Sequence, residues 1–139
     1  MSTEFRQNAL DYLRENQVCH MATIAGDRPV NRVMHGGRID DDFTVWFATG
    51  LSSNKVGQLA KNPYTCLSFF NGKADVYIHG KGEVLSDQAT RDEHWHDELS
   101  RYFPGGKTDP EYAIIKITPD SVMYRDFDTT GFASQEVLK

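Results

Sequence analysis

Hydroxyl side chains and a lysine crowd into one short stretch of this chain, where they could capture a phosphate. The segment Trp46-Phe47-Ala48-Thr49-Gly50-Leu51-Ser52-Ser53-Asn54-Lys55 reads as the end of a strand, a tight turn and the first turn of a helix. That helix continues as Val56-Gly57-Gln58-Leu59-Ala60-Lys61-Asn62. The first N–H groups of a helix have no intrahelical acceptors and carry about half a positive charge, which suits an anionic oxygen. Ser53 can cap the helix and also donate to a phosphate, and Lys55 adds a full charge. The same pattern describes an ordinary cap beside a solvated lysine. The segment alone does not separate the two readings.

Composition narrows the classes of partner. A chain of 139 residues is a single domain by size, able to bury about two-thirds of its unfolded surface. A net charge of −5 argues against duplex nucleic acid, which needs a basic face, yet leaves room for a locally basic pocket. No apolar run approaches the ~20 residues of a membrane span. The N-terminal Ser2-Thr3-Glu4-Phe5-Arg6 lacks the layout of a secretory signal. Cys19 and Cys66 each lie in a strand-like run, far apart, and are expected as reduced thiols. A cytoplasmic protein without membrane or nucleic-acid partners is therefore expected.

The elements that must position the anion segment follow from periodicity. Phe5, Ala9, Leu10, Tyr12 and Leu13 make one stripe of an N-terminal helix, with Ser2 or Thr3 as its cap. Strands are expected over 18–25, 30–39, 43–48, 64–70 and 74–85, with turns at Gly26-Asp27, Asp40-Asp41-Asp42 and Asn71-Gly72. Gly80 and Gly82 interrupt the fifth strand and mark a bulge, a barrel corner or a close backbone approach. A second helix is expected over 87–103, with Trp95, Leu99, Tyr102 and Phe103 inward. Two more strands, 112–118 and 122–127, should flank a turn at Pro119-Asp120. Residues 1–127 then form the domain, and 128–139 a tail without clear pattern.

Short antiparallel strands with inserted helices do not alternate as a parallel doubly wound sheet requires. Closing the sheet removes exposed edges. The expected fold is mainly β: a six- to seven-stranded antiparallel barrel, closed or partly closed, flanked by helices. Asp92-Glu93-His94-Trp95-His96-Asp97-Glu98 has the composition of a metal site. On a helix, however, residues two apart do not share a face, so no metal is expected there. His20, His35 and His79 are expected as satisfied barrel residues, and Trp95, Tyr102 and Phe103 as core.

Several stretches together carry a resemblance. Cys19-His20-Met21-Ala22-Thr23 leads to Arg28-Pro29-Val30-Asn31-Arg32-Val33-Met34, then to Trp46-Phe47-Ala48-Thr49, Ser53-Asn54-Lys55 and Asn62-Pro63. Val76-Tyr77-Ile78-His79-Gly80-Lys81-Gly82 and Tyr102-Phe103-Pro104 follow. In order and spacing the chain resembles the flavin-binding split-barrel superfamily related to pyridoxamine 5′-phosphate oxidase, and within it the general stress protein branch.

That resemblance implies an FMN-binding split barrel, a homodimer with FMN at the subunit interface, and an oxidoreductase of unassigned substrate with a stress-related role. It implies Arg32, Thr49, Ser53 and Lys55 as contacts of the flavin phosphate and ribityl chain. Asn54 stands where arginine is frequent. Backbone groups of Val33, Met34 and His35 are implied beside the ring, with His35 near enough to donate a proton. The oxidase itself holds its substrate with a glutamine on the fifth strand and a C-terminal basic and aromatic motif. Here Asp75 stands near the glutamine's position and the motif is missing, so pyridoxamine phosphate oxidation is not expected. A non-catalytic flavin or electron-relay module, and a relative binding haem or a deazaflavin, remain as alternatives.

Overall fold

The amphipathic stripe at the N-terminus forms α1 (Thr3–Glu15), which buries Ala9, Leu10, Tyr12 and Leu13. In this computed structural model residues 3–129 and 131–138 are described, so a cap at Ser2 lies outside the described residues. Phe5 packs on Tyr124 with ring centroids 4.7 Å apart. Tyr12 donates its hydroxyl to the Ala74 carbonyl at 2.9 Å, tying the helix to the sheet across the core.

Strands β1 (Val18–Ala25) and β2 (Arg28–His35) form a hairpin around Gly26, whose positive φ of 69° favours glycine. The expected strand over 30–39 is two strands. Gly36 adopts φ 70°, and a Cβ on Gly37 would meet the Phe47 ring at 2.7 Å, so the chain turns beneath that ring. It re-enters as β3 (Arg38–Ile39), which pairs with β4 (Val45–Gly50). Strand β4 begins two residues later than its sequence pattern suggests. Phe43 has φ 67° and belongs to the turn, where Asp42 Oδ1 accepts from the Thr44 N–H at 3.0 Å.

Helix α2 (Asn54–Lys61) follows, then β5 (Tyr64–Phe70), the Asn71-Gly72 turn and β6 (Ala74–Leu85). Leu59 is the buried residue of α2 and seats on Gly82, where an added Cβ would meet its side chain at 3.0 Å. The expected helix over 87–103 is shorter. Asp87 caps α3 (Gln88–His94) by accepting from the Thr90 N–H at 3.0 Å, and Trp95 and His96 are then extended. A 3-10 turn, Asp97–Arg101, follows. The break lets Trp95 and Phe103 both pack on Tyr112, at 5.3 and 5.1 Å, and turns Tyr102 outward.

The two last strands expected are one, β7 (Tyr112–Asp126). Its pairing with β6 shifts register between His79 and Gly80, opposite Pro119. The extra residue is Asp120, left without a partner between Ser121 and Pro119, and the bulge lets the strand run on past a proline that has no N–H to give the ladder. Beyond it, β8 (Gln135–Glu136) pairs with β7, and Val137 is buried in the main core.

All pairings are antiparallel in one eight-stranded sheet, in the order β2-β1-β5-β6-β7-β4-β3 with β8 on β7. The sheet is not closed: β2 and β3 end the ladder. The count exceeds six or seven through β3 and β8, each of two residues. Met21, Val45, Phe47, Leu67, Phe69, Ile78, Ile115 and Ile117 fill the interior with Leu10 and Leu13 of α1. Cys19 is buried and its thiol is pushed up to about 12, which makes it unreactive; both cysteines are free. No helix among the described residues is long and apolar enough to cross a membrane.

Candidate functional site

The C-terminal end of β2, strand β4 and the segment running from α3 through the 3-10 turn enclose a cleft of about 930 Å³. That is the size range of small-molecule and cofactor sites. Of the residues singled out by sequence, Val33, Met34, His35, Thr49 and Lys55 line it. Trp46, Tyr102 and Glu111 are further lining residues. Arg32, Ser53 and Asn54 do not line it; Ser53 adjoins it through Lys55 and Arg32 through its chain neighbour Val33, and Asn54 is exposed.

The half-buried Lys55 donates from Nζ to Ser53 Oγ at 2.7 Å and reaches Thr49 Oγ1 at 3.5 Å. Ser53 occupies the N-cap of α2, but its hydroxyl does not cap the helix. It is engaged by the ammonium instead, which corrects the expectation that it closes the first turn. The neighbouring Ser52 is held by Glu111 Oε2, through its hydroxyl at 2.7 Å and its N–H at 3.3 Å.

Arg32 is fixed by neutral acceptors. Its Nη1 donates to Thr23 Oγ1 at 2.7 Å and to the Met21 carbonyl at 3.3 Å, and its Nη2 donates to Gln58 Oε1 at 2.8 Å. The Thr23 hydroxyl donates to the same Gln58 oxygen at 2.6 Å, closing a ring of three side chains. Gln58 and Lys55 are three residues apart on α2 and share a face, so the guanidinium docks on the side of the helix that carries the ammonium.

Among the described residues neither cation forms an ion pair. Burial pulls the pKa of both groups down, and for Lys55 the nearby Arg32 adds to the effect. Two half-buried cations with neutral partners suit an anion. The donor set fits a phosphate ester bearing about −1.5 to −2 charges.

Other candidates fall elsewhere. Asp75 is 2 % exposed and is ion-paired with Arg125; it also accepts from the Tyr77 hydroxyl at 3.1 Å. It does not line the cleft. His20, His35 and His79 are exposed rather than packed inside the barrel, because they lie on the outer face of β1, β2 and β6. His94 stacks on Trp46 at 4.5 Å, and burial lowers its pKa. Trp95 and Phe103 are packed against a second core cluster, whereas Tyr102, 71 % exposed, stands at the cleft. Sequence reasoning missed Thr23 and Gln58 as supports of Arg32. The one available signal was Gln58 lying a helical turn from Lys55.

The profile described as "Pyridoxamine 5'-phosphate oxidase like" matches residues 4–135 of this chain. The chain belongs to that family. Relatives of this pyridoxamine 5'-phosphate oxidase-like protein include general stress protein 26 of Bacillus subtilis (strain 168). The two are 29% identical over 126 residues, covering 86% of each chain. Among solved structures, a Clostridium acetobutylicum protein related to general stress protein 26 superposes with a TM-score of 0.84 at 23% identity, covering 98% of this chain and 95% of that one. The general stress FMN/FAD binding protein of Xanthomonas citri gives a TM-score of 0.79 at 20% identity, covering 99% of both. The split-barrel fold expected from the sequence is thus found, and general stress proteins are among the chain's relatives, as the resemblance implied.

Proposed function

We propose that this protein binds FMN in the cleft beside Arg32 and Lys55 and serves as a flavin-dependent oxidoreductase with a stress-related role. The observation that carries the reading is the pair of half-buried cations with no carboxylate partner among the described residues. Family membership and a relative named for FMN/FAD binding point to the same ligand class. Arg32 and Lys55 would hold the phosphate, with Thr49 and Ser53 beside them. Val33, Met34 and His35 would border the ring. The flavin supplies hydride or electron transfer when bound; the chain binds it, orients it and shields it from water.

We also propose a homodimer, formed on the outer face of β1, β2 and β5. Val18, Val33 and Phe70 are 53%, 49% and 67% exposed there, more apolar surface than a lone sheet face needs. Val33 and His35 belong both to that face and to the cleft, so a second copy would border the flavin. Free cysteines accord with the cytoplasm. The test is a titration of FMN and of riboflavin followed by flavin fluorescence, with the mass in solution measured by sedimentation. Quenching by FMN at far lower protein concentration than by riboflavin, on a particle of two chains, is the expected result. Equal response to both ligands would overturn the reading.

The site also makes binding depend on pH. Lys55 binds a phosphate best when protonated, and burial sets its pKa below the ordinary 10.5. Affinity for FMN should therefore be full below that depressed pKa and fall as pH rises through it, before free lysine would titrate. Below about pH 6 the phosphate takes up its second proton, so affinity weakens on that side too. Riboflavin, lacking the ester, should show neither limb. Fluorescence titrations across pH would check both.

A further inference from the structure

We infer that Gln58 sets the preference for a phosphorylated flavin over a phosphate-free one, by holding Arg32 in an uncharged bracket with one edge of its guanidinium left open. The inference rests on the FMN reading above and deepens it. A guanidinium carries five N–H donors. Two on Nη1 go to Thr23 Oγ1 and the Met21 carbonyl, and one on Nη2 goes to Gln58 Oε1. The Nε–H and the second Nη2–H have no acceptor among the described residues. Those two N–H groups make the side-on fork that grips two oxygens of one anion.

The bracket has to be neutral to do this. A carboxylate at position 58 would hold Arg32 at least as firmly, and proteins pair buried arginines that way routinely. It would also cancel the charge and compete with the phosphate for the fork. Gln58 fixes the same geometry with no net charge, and the buried Thr23 hydroxyl, donating to the same oxygen at 2.6 Å, orients that amide. Thr23 in β1, Arg32 in β2 and Gln58 in α2 come from three elements, so the guanidinium is placed before any ligand arrives. A pre-placed fork loses little side-chain freedom on binding. Gln58 is therefore a positioning residue, acting on the ligand through Arg32.

The test compares Gln58→Glu, nearly identical in shape, with the apolar Gln58→Met, each measured for FMN and riboflavin affinity and for thermal stability. Gln58→Glu should weaken FMN by about thirtyfold and riboflavin by less than about twofold, the loss of a charge-assisted contact. Gln58→Met should weaken FMN by about tenfold, because Arg32 is no longer oriented. Should Gln58→Glu fail to fold, Gln58→Met carries the same readout. If both variants lose FMN and riboflavin in equal proportion, Gln58 only packs the helix and the inference falls. It falls alone if the wild type prefers FMN, Arg32→Ala removes that preference, and neither Gln58 variant changes the ratio. A wild type with no preference, unaffected by Arg32→Ala, overturns the FMN reading and this inference together.

Discussion

Replacing Arg32 and Lys55 together with alanine should lower FMN affinity by about a thousandfold while leaving riboflavin binding within a few-fold. Hydrogen bonds to charged groups each contribute about 1.5–3 kcal/mol, and two of them sum to roughly 3–6 kcal/mol, or two to four decades in Kd. The folded state should not suffer. Each cation now sits partly desolvated against neutral acceptors, at 2.7–2.8 Å from Thr23, Gln58 and Ser53, so its removal leaves no buried opposite charge behind. A thermal melt should show a midpoint equal to or above that of the wild type. The single variants should divide the loss unequally, with Arg32→Ala the larger, because a guanidinium binds two oxygens and an ammonium acts as a point charge. Unchanged FMN affinity in the double variant would place the phosphate elsewhere.

Gly80→Ala should be the most damaging small substitution in the sheet. An added Cβ would stand 2.2 Å from the Thr118 carbonyl oxygen and 3.0 Å from Pro119 Cα. Both obstacles are backbone, and both belong to the bulge that lets Pro119 remain within β7. Relief requires β6 and β7 to part at their register shift. Overpacking of this kind costs about 3 kcal/mol, and a midpoint lowered by about 10 °C is expected for a chain of this size. The comparison is Gly57→Ala, on α2, where nothing lies within 4 Å of the new carbon. That variant should match or exceed the wild type, since alanine favours a helix. Circular dichroism melts of the two would decide it.

The same glycine shows how far the sequence could be read. A glycine within an alternating strand announces a bulge or a close approach, and Gly80 is both. What it could not announce was its counterpart. Pro119-Asp120 is a strong turn signal locally, and only the partner strand makes it a continuous ladder. The split of residues 30–39 was hidden for a similar reason. Gly36-Gly37 follows the strand-like Val33-Met34-His35, and nothing nearby in sequence reveals that Phe47 needs the space above Gly37.

Helix α3 was overestimated because Trp95, Leu99, Tyr102 and Phe103 fit a helical stripe. Packing two aromatic rings on Tyr112 mattered more than continuing the backbone hydrogen bonds. In the candidate site, Lys55 stood out because few roles suit a lysine beside a hydroxyl-rich turn, whereas Arg32 was implied by the resemblance. Thr23 and Gln58 did not stand out, since a threonine in a strand and a glutamine on a helix are ordinary. Their role exists only once β1, β2 and α2 meet.

Leu59 and Gly82 give this arrangement a mechanical side. Lys55, Gln58 and Leu59 ride on one eight-residue helix, and the bare backbone at 82 is the fulcrum on which it rests. A bulkier residue there would press on the Leu59 side chain, through which the helix carrying the ammonium and the amide is seated. On the proposed FMN reading, a substitution at 82 should thus alter the preference for a phosphorylated flavin from outside the cleft.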